Sequence, residues 1–418
     1  MSRDIRQNYD EILKVLTVLG LIGVFYSTAL TTISLLLIVI ASCLGRAQMK
    51  FKEVISDRFF LPLTLVFAVV LVSGLYSQDS EGWQTAIRVK LPFLILPVAF
   101  LIAPNIKKKT AIDLHYWLVL ISALVGLLVM IGIFRDIGSA VELISVGKSI
   151  STPIEHVKYS MTVAYAAVAG WILYREDDKL KKGMKRCLLF AVVFLVLLLH
   201  VMAVRTGLVI FYISIIFLAA RYVLQPTYRK LGFGLLLGSI LIPSIAIQVI
   251  PTLKQKIGYM QYDWSQYKKG EGRLYSDSER ILSYQAGLSI FKNAPLIGVG
   301  YGDVREDVMS FYKDIADRPN LNKLPHSQYL TYLAGVGVLG FLIWLYGFYR
   351  PLICSVRSGR GTLLCSLILM IYLNYSLSFL VENSLDRSMS VAFLLLFLLP
   401  LLKGICSAIP LTAGKSKI

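Results

Sequence analysis

Apolar residues are gathered into long runs along this chain, and polar residues into the gaps between them. Twelve runs fall at about 12–27, 29–45, 59–76, 91–104, 110–134, 158–174, 187–204, 206–221, 231–250, 327–348, 361–380 and 388–402. Such runs approach the ~20 residues that carry a helix across a ~30 Å hydrocarbon core. The gaps are short except for one, Pro251 to Pro325. The pattern predicts an all-α, polytopic membrane protein of about 12 transmembrane helices with one large loop. Residues 1–250 would hold helices 1–9, residues 251–325 the loop with short helices, and residues 326–418 helices 10–12 and a cytoplasmic tail.

Charge then orients the chain. Basic residues crowd alternate loops: Arg46, Lys50, Lys52 and Arg58 in one, Lys107 to Lys109 in the next, and the stretch from Arg175 to Arg186 after that. Arg3, Arg6 and Lys14 precede the first run; Arg221, Arg229, Lys230, Arg350, Arg357, Arg360, Lys403, Lys415 and Lys417 continue the series. The intervening loops hold few. Lys and Arg resist translocation, so both termini are expected in the cytoplasm and the large loop outside it. The N-terminus reads as a retained first helix, because it lacks a cleavage site of the secretory kind.

Composition agrees. The 418 residues are 56% hydrophobic, with a mean hydropathy of +0.68. The net charge of +18 would suggest nucleic acid in a soluble protein. Here most of the excess is a topology signal, and nucleic-acid binding is excluded. Cys43, Cys187, Cys354, Cys365 and Cys406 fall in runs or on the cytoplasmic side, so no disulfide framework is expected.

The outer segments hold the candidate chemistry. Ser77 to Lys90, with Trp83, is expected to lie flat at the interface. Arg135 to Lys158 carries Glu155, His156 and Lys158 next to a run. Arg205, Thr206 and Gly207 make a tight turn between two runs, and Val381 to Ser388 carries Glu382, Asp386 and Arg387. In the large loop Tyr259, Tyr262, Trp264, Tyr267, Tyr275 and Tyr284 supply aromatic surface to pack on the membrane domain or on a sugar ring. Ser276 and Glu279 are spaced as a capping box, and the helix they open should run to about Lys292, before Asn293, Pro295 and Gly298. Gly298, Gly300 and Gly302 follow.

Each candidate has a plain structural alternative. Arg205 could anchor a helix end at the headgroups, or bind a phosphate bidentately. Arg280 could pair with Glu279 or Asp277. Its place in a first helical turn, where the dipole favours anions, points to a ligand. His326 opens the run after the loop; its ordinary pKa of about 6.5 suits a general base. His200 reads as a core residue, and His115 is set aside as near the cytoplasm. No Asp-x-Asp, HExxH or Walker A sequence occurs, and Gly298 to Gly302 lacks dinucleotide spacing. No metal or cofactor is expected. Transporters keep ionisable groups near mid-membrane. Here the run centres are nearly free of charge, which favours an interfacial enzyme over a flippase or other carrier.

The stretch Ser276–Gly340 carries a resemblance. His326, Ser327, nine further residues, Gly337, two more and Gly340 reproduce the histidine motif of the O-antigen ligase (WaaL) and O-antigen polymerase (Wzy) superfamily. Ala294 to Asp303 looks like its pre-histidine loop. Val204-Arg205-Thr206-Gly207 looks like its arginine turn, with valine where serine is usual. The resemblance implies a GT-C-like fold in the bacterial inner membrane, with the active site facing the periplasm. It implies metal-independent, inverting transfer of a glycan from undecaprenyl pyrophosphate to a sugar hydroxyl of lipid A–core. Polymerases of this fold use another repeat unit as acceptor, and some relatives use protein hydroxyls. Arg205 and Arg280 would hold the pyrophosphate and His326 would act on the acceptor hydroxyl, with His156, Lys158 and Glu382 as further substrate contacts. The partners implied are the lipid-linked glycan, the lipid A–core acceptor and membrane lipids.

Overall fold

The computed structural model describes residues 2–47, 51–269, 276–316, 324–359 and 361–407, and among these there is no strand. Lys50, Tyr275, Arg360, Lys415 and Lys417 lie outside the described residues, as do the side chains of Ser276, Asp277 and Ser278. Twelve helices coincide with the twelve apolar runs: α1 (Ser2–Tyr26), α2 (Thr28–Leu44), α4 (Thr64–Ser73), α6 (Pro92–Ile102), α7 (Lys108–Arg135), α9 (His156–Glu176), α10 (Lys182–Met202), α11 (Arg205–Val223), α12 (Arg229–Val249), α16 (Gln328–Gly359), α17 (Leu363–Val381) and α18 (Ser388–Cys406). The others are α3 (Phe51–Ile55), α5 (Ser80–Lys90), α8 (Ile137–Ser145), α13 (Pro251–Lys268), α14 (Ser276–Asn293) and α15 (Val304–Ala316). Among the described residues, eight helical stretches are long and apolar enough to cross a membrane, with Thr28–Leu44 and Leu61–Ser73 as shorter apolar helices. This is an all-α, multi-pass membrane protein.

One detail differs from the sequence reading. Ser80–Lys90 is helical, but it runs on through Leu91, itself right-handed α, into α6. The apolar content of α6 makes Ser80–Ile102 one of the eight membrane-length stretches. Among the described residues the large loop holds three helices. α14 ends at Asn293 as its stop signals require; α13 and α15 flank it.

The chain divides into two compact units. The first comprises Met1–Trp117, Leu282–Tyr372 and Phe379–Ile418. Its central helix is α18, buried continuously from Ser390 to Ile405. A helix that is apolar on every side has no solvent face, so it is surrounded by other helices; α1, α2, α6 and α16 pack on it.

α16 is broken at Gly337, whose backbone adopts φ 62° and ψ −172°. A break in an apolar helix strips several amides and carbonyls of their helical partners, and lipid cannot replace them. The segment before α15 does. The Val299 and Gly300 amides donate to the carbonyls of Ala334 and Gly335, each at 3.0 Å. On the other side of the break, the Val338 and Leu339 amides donate to Pro295 and Leu296 at 2.9 and 3.2 Å. Such close backbone approach leaves no room for Cβ atoms. One on Gly337 would strike the Leu296 backbone, and one on Gly298 (φ +73°) would lie 2.5 Å from the Val336 nitrogen. Aromatic stacking braces the two halves: Tyr332 before the break lies face to face with Trp344 after it, ring centroids 4.3 Å apart.

The second unit comprises Leu118–Ile281 and Leu373–Ser378. α9 is its core, packed by α10 and α11. α11 crosses α9 at Gly207, where an added Cβ would lie 2.6 Å from that of Ser160. α12 is the reverse case. Leu237, Ile240 and Ile245 are exposed, as suits a helix that meets lipid.

Gly337→Ala combines a strained backbone with a collision. We expect it to cost on the order of 3 kcal/mol and to lower the melting temperature of the detergent-solubilised protein. Gly234→Ala on α12, whose Cβ would meet nothing within 4 Å, should not. Equal melting of the Gly337→Ala and wild-type proteins would refute this account of the break.

Candidate active site

The second unit contains a cavity of about 430 Å³ that Lys148, His156, Arg205, Lys256 and Arg280 help to line. The arginine turn builds one wall. α10 ends at Met202, and Ala203 takes the left-handed conformation (φ 51°, ψ 33°) that reverses the chain. The turn itself is therefore Ala203 and Val204, and Arg205 is already the first residue of α11. The first intrahelical bond of α11 runs from the Leu208 amide to the Val204 carbonyl at 3.2 Å. The amides ahead of it point out of the helix end, where an anion is favoured. The close crossing of Gly207 on Ser160 explains a second wall. Ser160 lies one turn along α9 from His156, so packing these small residues draws Arg205 and His156 to one end of the crossing. Beneath them Ile144, Ala203, Ala246 and Leu253 form a small apolar core. The Thr252 hydroxyl donates to the Val201 carbonyl at 2.7 Å, which ties the start of α13 to the end of α10.

His326 lies in the first unit, half-buried, on a segment clamped through its backbone. The His326 amide donates to the Ser283 hydroxyl at 3.0 Å. The Pro325 carbonyl accepts from the Asn383 side-chain amide. Ser327 caps α16, accepting from the Leu330 amide at 3.4 Å and donating to the Phe379 carbonyl at 3.0 Å. Thr331 then donates to Asn383 at 2.9 Å. Gly287 gives α14 its seat on Pro325, 3.1 Å from where its Cβ would be. Arg280 and Ser283 are three residues apart on α14, a spacing that shares one helix face.

Two residues beyond His326, Gln328 joins a buried polar network. The Lys90 ammonium, with 0% of its side chain exposed, pairs with Asp386 at 2.5 Å and sits 4.3 Å over the Tyr301 ring. The Tyr301 hydroxyl donates to Asp386 at 3.0 Å. Gln328 donates to the other Asp386 oxygen at 2.8 Å and accepts from the Leu385 amide at 2.7 Å. Burial, and then the Asp386 carboxylate beside it, push the Tyr301 phenol well above its ordinary pKa, so it remains a donor. Asp303, in the same pre-histidine loop, accepts from the Gln78 and Asp79 amides at 2.9 and 2.5 Å. The segment before α5 is thereby fastened to that loop.

Residues 188–345 match the O-antigen ligase family model. The match supports the resemblance to the ligase and polymerase superfamily over this stretch. It takes in Arg205, Arg280, His326 and the broken helix. Members of the family are glycosyltransferase-like enzymes that use a lipid-linked glycan and an acceptor. No curated protein matches the chain.

Set against the O-antigen ligase family motifs, the cavity gathers three of the expected residues: Arg205, Arg280 and His156. Lys158 is on α9 but buried, at 7% exposure, and does not line it. Glu382 belongs to the first unit, is buried at 9%, and is next to Asn383. His200 is bonded through both nitrogens, to Val196 and Tyr212 at 2.7 and 2.6 Å, as a core residue. Sequence reasoning missed Lys148, Lys256, Ser283, Asn383 and the Lys90–Asp386 pair. For Asp386 there was a signal, a carboxylate in a short loop between two apolar runs. The lysines and hydroxyl groups had none, because their partners are far away in sequence. Among the described residues no group of three or more His, Cys, Asp or Glu could hold a metal ion.

Removing one member of a buried ion pair leaves the other uncompensated. Lys90→Met should destabilise the protein by about 3–5 kcal/mol. Lys90→Met with Asp386→Leu should recover much of that loss, which a double-mutant cycle on melting temperature would measure. Strictly additive losses would show that the two side chains do not act as a pair.

Proposed function

We propose that this chain is an O-antigen ligase, moving a glycan from undecaprenyl pyrophosphate to a sugar hydroxyl of lipid A–core at the periplasmic side of the inner membrane. The observation that carries the reading is the meeting of Arg205 and Arg280 in one cavity with the amino end of α11. These residues are more than seventy positions apart in sequence. Two guanidiniums and a helix terminus suit a diphosphate. The basic loops support the orientation.

In the reaction the acceptor hydroxyl attacks the anomeric carbon of the glycan. Its proton passes to His326, the new C–O bond forms, and the bond from the anomeric carbon to the phosphate oxygen breaks. The bonding pair stays on the diphosphate, which leaves as an anion. Attack from the opposite face inverts the configuration. Arg205 and Arg280 answer the charge that grows on the leaving oxygen; preorganised donors of this kind are each worth roughly 3–4 kcal/mol. His326 as general base contributes about 10²–10⁴-fold. The backbone clamp from Ser283 and Asn383 holds the His326 segment.

Purified protein given lipid-linked glycan and lipid A–core should form the ligated product. Arg280→Ala and His326→Ala should each lower transfer by about 10²-fold or more, with unchanged expression and elution volume. Near-normal transfer by both variants would remove these roles. In a deletion strain, loss of every glycan cap fits ligation, whereas caps of a single repeat would identify a polymerase. Vectorial cysteine labelling that placed residue 326 on the cytoplasmic side would overturn the reading.

A further inference from the structure

The first unit has a cavity of its own, of about 380 Å³, where two helix starts meet. Small-ligand sites occupy roughly 300–1,000 Å³. Two glycines join α5 to α15 there. A Cβ on Gly302 would lie 2.4 Å from the Asp79 carbonyl oxygen, and one on Gly82 would lie 2.8 Å from the Gly302 carbonyl oxygen. This close approach sets the first turns of both helices around one space. Asp79 caps α5, accepting from the Gly82 amide at 2.8 Å. Glu81 follows on α5, and Arg305 and Glu306 lie in the first turn of α15. These four residues line the cavity together with Thr85 and Asp386.

A helix dipole favours acids in the first turn, which accounts for Glu81 and Glu306 singly. It does not account for the space between them or for Asp386 in its wall, held there by Lys90, Tyr301 and Gln328. Lys90 balances the charge of Asp386, so the lining keeps three carboxylates against one guanidinium. Burial, and then the carboxylates of Asp303 and Glu306, raise the Asp307 carboxyl above its usual range, as an electronegative junction requires. The cavity is also tied to the His326 segment. Leu324 lines it, and two residues of chain reach at most about 7 Å. Gln328, two residues beyond His326, bonds Asp386 at 2.8 Å.

We propose that this cavity seats an unphosphorylated saccharide of the acceptor and prefers one that bears a free amino group. The inference rests on the glycosyl-transfer reading and extends it to what the acceptor must look like. Sugar hydroxyls donate to carboxylates in charge-assisted bonds and accept from Arg305 and Thr85. Ala86 and Val89, also in the lining, offer apolar surface to the C–H face of a ring. An ammonium on the sugar gains from the excess of carboxylates, whereas a phosphate is repelled by it. The cavity thus ranks saccharides as amino, then neutral, then phosphorylated. A chain whose other cavity is lined by Lys148, Arg205, Lys256 and Arg280 thereby keeps phosphate out of the acceptor seat.

The test uses the full chain in nanodiscs at fixed ionic strength and three matched probes: β-1,4-linked diglucosamine, cellobiose and cellobiose 6′-phosphate. Saturation-transfer NMR titrations should place diglucosamine roughly tenfold tighter than cellobiose, and cellobiose roughly tenfold tighter than its phosphate. Glu81→Gln with Glu306→Gln should flatten this order at an unchanged melting temperature. Lysine at both positions should reverse it. Thr85→Trp, which fills the cavity from an exposed position, should abolish binding of both unphosphorylated probes. Absence of saturable diglucosamine binding, equal affinity for the three probes, or an unchanged order in the double glutamine variant would overturn the seat. Binding is read without turnover, so the two ideas fail separately. The expected order in a protein that never transfers glycan sinks the transferase reading alone. Active transfer by a protein that binds the three probes equally sinks the seat alone.

Discussion

Backbone polar groups in an apolar helix must find partners within the protein, because lipid offers none. The break at Gly337 is where this constraint shapes the first unit. Opening the helix exposes groups that only another stretch of backbone, brought within van der Waals reach, can satisfy. The glycines at 298, 335 and 337 make that approach sterically open. The loop that fills the gap then leads directly to Tyr301 and Asp303, which bind Asp386 and the backbone ahead of α5. The position of the His326 segment is thus tied, through α16 and Gln328, to the same pairing. The histidine followed by spaced glycines is, physically, a clamped segment and a helix break filled by a loop.

The network around Asp386 works in the same direction. Burying an ammonium and a carboxylate costs several kcal/mol of solvation for each, which their attraction offsets only when the geometry is good and further hydrogen bonds are made. Here those bonds come from Tyr301 and Gln328. The pair contributes little net stability, but it penalises any arrangement in which α5, the pre-histidine loop and the start of α16 do not converge.

In the second unit the cavity is framed by packing: Gly207 on Ser160, Gly147 on Tyr259, and a small apolar core. The left-handed Ala203 is a further local cost, of the order of 1–2 kcal/mol, accepted where the chain must reverse within two residues to set Arg205 at a helix start.

Much of the architecture was legible without coordinates. Hydrophobic runs and basic loops are local and additive signals, so the twelve apolar helices and the expected sidedness could be read from the chain. The stop signals at Asn293 and Pro295 bounded α14 for the same reason. The candidate residues Arg205, Arg280 and His326 stood out because they lie in the turns and loop between apolar runs, and because the surrounding motifs resemble a family's. The rest depends on distance in space. Only the tertiary structure decides that Lys148 and Lys256 share a cavity with the arginines, that Lys158 does not line it, that Asn383 and Ser283 hold the His326 segment, or that α16 is broken and repaired by a loop. Each of these follows from packing between segments far apart in sequence, and neither periodicity nor charge along a chain encodes which partner will be there.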